Sequence, residues 1–192
     1  MRKSRKEAAE TRERIVDTAS AEFRRHGIDG TGLSGLMAAA GLTHGGFYRH
    51  FGSKDELVAE TCVRAAEGLI AAIAAARADA TDQRGLDAIL ADYLSAGHRD
   101  DPAKMCPFAA LGGEIARGSD TVRGAATEGF GKLVDVIAAE LDEPDPAVAR
   151  GRALAALCTM VGAMTMSRMV SDPALSDEIL RETRTQLTRG SE

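Results

Sequence analysis

Residues Gly30–Leu57 read GTGLSGLMAAAGLTHGGFYRHFGSKDEL, and this stretch decides the fold. Leu33–Ala40 is a short apolar run of helix formers. Gly41 halts it at the position where a left-handed C′ residue is expected. Leu42 and Thr43 turn the chain, and Thr43 is suited to cap a second short helix over His44–Phe51. Two helices around a glycine-containing turn of three or four residues form the helix-turn-helix pattern. Leu33, Leu36 and Ala40 fall at helical spacing and pack beneath the second helix, so His44, Gly45, Tyr48 and Arg49 face outward. Phe47 and Phe51 are core residues on the same reading.

Around this stretch the chain reads as helix throughout. Ala, Leu, Arg and Glu dominate and β-branched runs are scarce. A first helix, Glu7–His26, carries its apolar stripe on Ile15, Val16, Ala19, Ala21 and Phe23, with Arg12, Arg14, Arg24 and Arg25 on the wet side. Ser53 and Glu56 form a capping box that opens a long helix over Lys54–Ala78. Further helices are predicted over Arg84–Gly97, Pro107–Arg117, Asp120–Leu141, Asp145–Val170 and Pro173–Thr188, about nine in all. The punctuation is Thr81-Asp82, Asp100-Asp101-Pro102, Gly118-Ser119, Glu143-Pro144 and Ser171-Asp172-Pro173. Residues 1–6 form a basic arm, for which contact with DNA and a merely solvated tail both remain open.

Charge divides the chain in two. The net charge is −5, yet residues 1–54 hold ten Lys and Arg against six Asp and Glu, a net of +4, and the remainder carries −9. A basic head on an acidic body fits a nucleic-acid-binding unit, residues 1–54, joined to a regulatory unit, residues 55–192. No uninterrupted apolar stretch of about 18 residues predicts a membrane span, and the charged N-terminus has no apolar segment of a secretory signal. Cys62, Cys106 and Cys158 are widely spaced and odd in number, which is neither a metal-ligand pattern nor a disulfide framework. No cofactor is implied, and a reducing cytoplasm is the expected location.

The turn Ala39-Ala40-Gly41-Leu42-Thr43, the run Gly45-x-Phe47-Tyr48-x-His50-Phe51 and Ser53-Lys54-Asp55-Glu56-Leu57 together resemble the TetR/AcrR family of bacterial one-component repressors. The resemblance implies an all-α protein: a three-helix helix-turn-helix head followed by a helical body that binds an effector and dimerises. It implies that Tyr48 places its hydroxyl on a phosphate, that Lys54 sits beside the DNA at the first turn of the long helix, and that the ligand pocket lies in the body. This chain departs from the family pattern at Gly32, where a Ser or Thr cap is usual, and at Gly35, where an acidic residue is common. A hydroxyl contact to phosphate then falls to Thr31 or Ser34. The recognition helix offers its N-terminus, Thr43 to Gly46, to an anion. Arg49 is the candidate reader of guanine, His44 a donor to a base or phosphate, and His50 either a phosphate contact or a structural residue.

The helix Asp145–Val170 is the most apolar, with Ala155, Ala156, Gly162 and Ala163 allowing close approach. It reads either as a buried core helix or, by resemblance, as half of a four-helix dimer interface shared with the last helix. A two-fold dimer demands a palindromic operator. Candidate effector-pocket walls are Cys62, Leu69, Ile73, Tyr93, Leu94, Met105, Phe108, Leu111, Phe130, Leu133, Val134, Cys158 and Met164, with Cys106 as the candidate sensor; they are mostly apolar, which points to a small hydrophobic or aromatic effector. Cys106 caps the helix opened by Pro107, with Lys104 nearby, so a lowered thiol pKa and reaction with electrophiles are expected. Two other functions fit parts of the sequence: an effector-free architectural DNA-binding protein, and a cysteine enzyme pairing Cys106 with His98.

Overall fold

The structure, a computed structural model, describes residues 5–79, 85–101 and 105–189. Residues 1–4 of the basic arm, the Thr81-Asp82 break, the expected start at Arg84, and Lys104 lie outside the described residues.

The head is built from α1 (Arg5–His26), α2 (Leu33–Ala39) and a 3₁₀ helix (His44–Arg49). In α1 the buried side chains Ile15, Val16, Ala19 and Phe23 recur at helical spacing and form one stripe. α2 ends as predicted. Gly41 adopts φ +70°, its N–H donates to the Ala38 carbonyl, and the Leu42 N–H donates to the Met37 carbonyl at 2.8 Å. Those two bonds are the Schellman arrangement, which satisfies the carbonyls a helix end leaves open.

The second helix differs from the expected α-helix over His44–Phe51. It is a 3₁₀ helix of six residues, with Gly46 N–H bonded to Thr43 and His50 N–H to Phe47. Two adjacent glycines are poor α formers, and so short a segment gains little from the wider i→i+4 ladder.

The body begins with α3 (Lys54–Asp79) and continues through α4 (Gly85–Tyr93), α5 (Ala96–Asp100), α6 (Pro107–Ala116), α7 (Asp120–Ala138), α8 (Pro146–Met169) and α9 (Pro173–Arg189). The cap of α3 is a shifted capping box. The Ser53 hydroxyl accepts from the Glu56 N–H at 3.1 Å, but the Glu56 carboxylate reaches back to the Gly52 N–H at 2.7 Å rather than to Ser53. The helix expected over Arg84–Gly97 is two helices. Ser95 breaks it by leaving helical geometry and accepting the His98 N–H at 3.1 Å, which starts α5.

α3 runs along α7, and α8 packs on both α7 and α9. The α3–α7 approach requires a glycine: a Cβ at Gly129 would stand 2.9 Å from the Ala66 methyl.

Two apolar clusters result. One joins Phe23, Leu36, Phe47 and Phe51 of the head to Leu57 and Cys62 of α3, Leu111 and Ile115 of α6, and Val122 of α7. The other fills the body with Leu69, Leu90, Tyr93, Cys106, Leu133, Leu157 and Met164. The core of the head therefore draws on side chains beyond residue 54, and α6 belongs to both units. α8 is long and apolar enough to cross a membrane by length and composition alone. Here Ala153, Leu157, Met160 and Met164 bury one face of it in the body core, and Arg150, Arg152 and Arg168 interrupt it.

Candidate functional site

Two neighbouring aromatic residues show how the head presents a surface. Phe47 is fully buried, stacked on Phe51 at 5.6 Å between centroids, while Tyr48 is 65% exposed and meets Phe47 edge to face. Thr43, His44, Gly45 and Arg49 are exposed beside it and Gly46 is half-buried. Thr43 holds the N-cap position without bonding its hydroxyl to the helix. The result is a row of donors and a ring, backed by packed phenyl groups, at the protein's basic end.

Other residues expected at this surface are turned inward. Thr31 is buried, and its hydroxyl donates to the Gly27 carbonyl at 2.7 Å, so it closes the α1–α2 turn; Ser34 is the exposed hydroxyl of the pair. The Lys54 ammonium donates to the Ile28 carbonyl and lies over the Phe23 ring, which pins the start of α3 to the same turn. His50 is half-buried, and its carbonyl accepts from Arg12. Arg12 does not sit on a wet face: it bonds Glu56 and Glu60 of α3 and covers the Phe51 ring at 4.1 Å. Its guanidinium, with the Gly52 N–H, holds the Glu56 carboxyl below the usual range.

A cleft of about 820 Å³ separates head and body. α1 contributes Asp17, Ser20 and Arg24; α3 contributes Arg64 and Leu69; Asp92, Ser95 and His98 come from α4 and α5, and Met105 and Pro107 from the start of α6. From there α6 runs to Glu114, whose carboxylate accepts the Asp29 N–H at 2.9 Å and lies against Gly27. One rigid helix thus touches the cleft at its first turn and the head at its last.

The apolar pocket read from sequence is not this cleft. Of its residues Leu69 and Met105 border it. Tyr93 and Cys106 are packed in the body core, Cys62 lies in the head cluster, and Phe108 meets Phe130 edge to face at 5.4 Å. The open walls mix charged and hydroxyl groups with small and apolar residues such as Ala65, Leu69, Ala72 and Met105, because most of the large apolar side chains are spent on the core. Signals for the missed residues were present. Ser20 is a polar residue inside an apolar stripe, and Glu114 is the one charge in PFAALGGEIA. What no spacing rule shows is that α1 lies across from α5.

Cys106 corrects a second expectation. It does cap α6, with Pro107 as first helical residue, but it is 1% exposed, and burial pushes its thiol pKa up. The Tyr93 hydroxyl, the Ala109 and Phe108 N–H groups and the Arg24 charge pull the other way and do not prevail. A protonated, buried thiol is the opposite of an activated nucleophile, which weighs against the cysteine-enzyme reading. Burial likewise pushes Cys62 up to about 11. Iodoacetamide at pH 8 is therefore expected to alkylate Cys62 about a hundred-fold more slowly in native protein than in the unfolded chain, and Cys106 also more slowly. Peptide mass mapping over time checks this, and equal rates in both states would contradict it.

Comparison with known proteins agrees with this architecture. Residues 15–61 match the model for bacterial regulatory proteins of the tetR family, and residues 83–182 match that for the C-terminal domain of LmrA/YxaF-like transcriptional regulators. The HTH-type transcriptional regulator AcrR of Shigella flexneri is 42% identical over 59 residues, which are 31% of this chain and 27% of that protein, so the likeness is confined to a segment. LmrA of Bacillus subtilis is 26% identical over 157 residues, 81% of this chain and 82% of that protein. The crystal structure of a TetR transcriptional regulator from Chloroflexus aurantiacus superimposes with a TM-score of 0.75 at 26% identity, covering 95% of this chain and 96% of that one.

Proposed function

The chain belongs to the TetR family of bacterial regulatory proteins and is a DNA-binding transcriptional regulator, and from that premise we propose that it acts as a cytoplasmic homodimer that represses from a palindromic operator and is released by a small-molecule effector. Residues 1–54 serve as the reading head, and residues 55–192 bind effector and partner subunit. The observation that carries the reading is the outward row His44, Tyr48 and Arg49 on a 3₁₀ helix backed by Phe47 and Phe51. In a major groove Arg49 has the planar fork that pairs with guanine O6 and N7. Tyr48, Thr43, His44 and Ser34 hold phosphates in this reading, which position the head without reading sequence.

Two further observations support the parts of this proposal. On α8, Gly151, Ala155, Cys158, Gly162, Met166 and Met169 are all exposed at helical spacing, and Leu175 of α9 is exposed too. An apolar, small-residue face of that kind suits a second copy of the same helix pair. The cleft supports the effector: an effector-free architectural protein has no use for a space of this size at the junction of head and body.

Selection from random duplexes, followed by titration at several salt concentrations, tests the reading. The expected operator is a palindrome, with affinity falling linearly in log salt. Arg49→Ala is expected to cost about 1–3 kcal/mol and to relax the base preference at one position of each half-site. If Arg49→Ala lowers affinity equally for all sequences, Arg49 holds a phosphate and the reader lies elsewhere.

A further inference from the structure

The charged groups around the head–body cleft are not equivalent. Arg64 is already committed, bonding Asp17 at 2.6 Å and also Glu13. Asp92 is exposed, where water screens it and an added counter-charge gains little. Arg24 is half-buried, with Nη1 donating to the Ser20 hydroxyl at 2.8 Å. Burial and the neighbouring Arg25 disfavour its charge, and Asp101 offsets this only in part. A carboxylate gains most at the cation that is least hydrated.

The same cleft contains a second polar position. His98 lines it, and its Nε2 is buried with no hydrogen-bond partner among the described residues. The His98 ring lies 4.7 Å from that of Tyr93, which backs it from the body core. Buried polar atoms are nearly always satisfied, so the His98 Nε2 without a partner at the edge of an open cleft marks a place where a ligand atom belongs. Leu69, Met105 and Pro107 supply apolar wall on the same cleft.

We propose that this cleft binds a small amphipathic carboxylate, its acid group held by Arg24 of α1 and its apolar part lying on Leu69 and Met105. The assignment rests on the repressor reading, since it names the effector class of that regulator. It also gives the ligand a direct grip on the reading head. Arg24 belongs to α1, whereas Leu69, His98 and Met105 belong to the body, so the bound acid joins the two units across the cleft. Any difference in cleft width between the free and bound forms then becomes a change in the angle of the heads, and operator affinity falls.

The test is calorimetric titration of the full chain with 4-phenylbutyrate, its amide and the corresponding primary amine, which share one apolar body and differ in charge. Wild type is expected to bind the acid saturably, and the amide and amine about ten-fold more weakly or worse. Arg24→Gln is expected to lose acid affinity by a similar factor, while Asp92→Asn retains it. Equal or tighter binding of the amide or amine to wild type overturns the proposal without relying on any variant. So does undiminished acid binding by folded Arg24→Gln, or no saturable acid binding at all. The same samples are titrated with the selected operator duplex. DNA binding without Arg24-dependent acid binding overturns the site and leaves the regulator. Arg24-dependent acid binding without DNA binding overturns the repressor reading and leaves the site.

Discussion

Phe47→Ala is expected to abolish DNA binding by unfolding the head, whereas Tyr48→Ala one residue later leaves the fold intact. Phe47 is fully buried, and its ring is packed between Phe51 and the core of α1 and α3. Removing a buried phenyl costs about 3–5 kcal/mol, lost burial and cavity together. That is a large share of the stability of about 5–15 kcal/mol typical of a domain. For a chain of this length the melting temperature should fall by about 6–20 °C, and tyrosine fluorescence and helix content should report loss of the head first.

Tyr48, at 65% exposed, has little burial to lose. Its substitution should shift stability by less than about 1 kcal/mol yet weaken operator binding, because the hydroxyl and ring are aimed at solvent. Calorimetric melts and DNA titrations of the two variants together separate a supporting residue from a contacting one. A Phe47→Ala protein that melts like wild type would refute the packing argument.

The second large effect belongs to α8. Gly162 lies in the middle of the exposed apolar face, and a Cβ there meets nothing within 4 Å. Gly162→Glu therefore costs the single chain nothing sterically, and it gains up to about 1 kcal/mol from improved helix propensity. Across a two-fold axis the same change buries two like charges against each other, which a dimer cannot tolerate without partners. The expected result is a folded monomer by sedimentation, with a melting curve that no longer depends on concentration.

Since one head alone reads half an operator, affinity for the full palindrome should drop by about 10²–10⁴-fold, the loss of effective concentration between linked heads. Cys158, on the same face, gives an independent readout: it is exposed on the single chain, so it should be slow to alkylate in wild type and fast in Gly162→Glu. A variant that remains dimeric would place the interface on another surface.

The contrast between these two regions shows what can be read from a linear chain. Gly41, Leu42, Thr43, the Phe47–Phe51 pair and Ser53-to-Glu56 act within a few residues of themselves. A left-handed cap, an i to i+4 stack and a capping box are local geometry, so the sequence alone determined the helix-turn-helix, the all-α class and the family. It also identified Pro107 and Cys106 as the start of a helix, and the small-residue character of α8.

Local rules failed where a residue's surroundings come from elsewhere. The second motif helix was legible in place but not in winding, because the choice between 3₁₀ and α geometry turns on small differences at Gly45 and Gly46. Cys106 showed a helix cap and therefore a reactive thiol, but the pKa depends on how much water reaches the sulfur, and its burial in the body core decided that. The apolar residues taken for pocket walls became core for the same reason that made them attractive: burying them is what drives the helices together.

The cleft fell to a mixture of polar and small apolar residues of α1, α3, α4 and α5, elements that meet only in the folded protein. Arg24 looked like a solvated charge on a wet face, and Glu114 like a stray acid in an apolar helix. Tertiary structure alone put Arg24 on the cleft and Glu114 on the Asp29 amide, because helix crossing, not sequence spacing, determines which side chains from distant segments share a space.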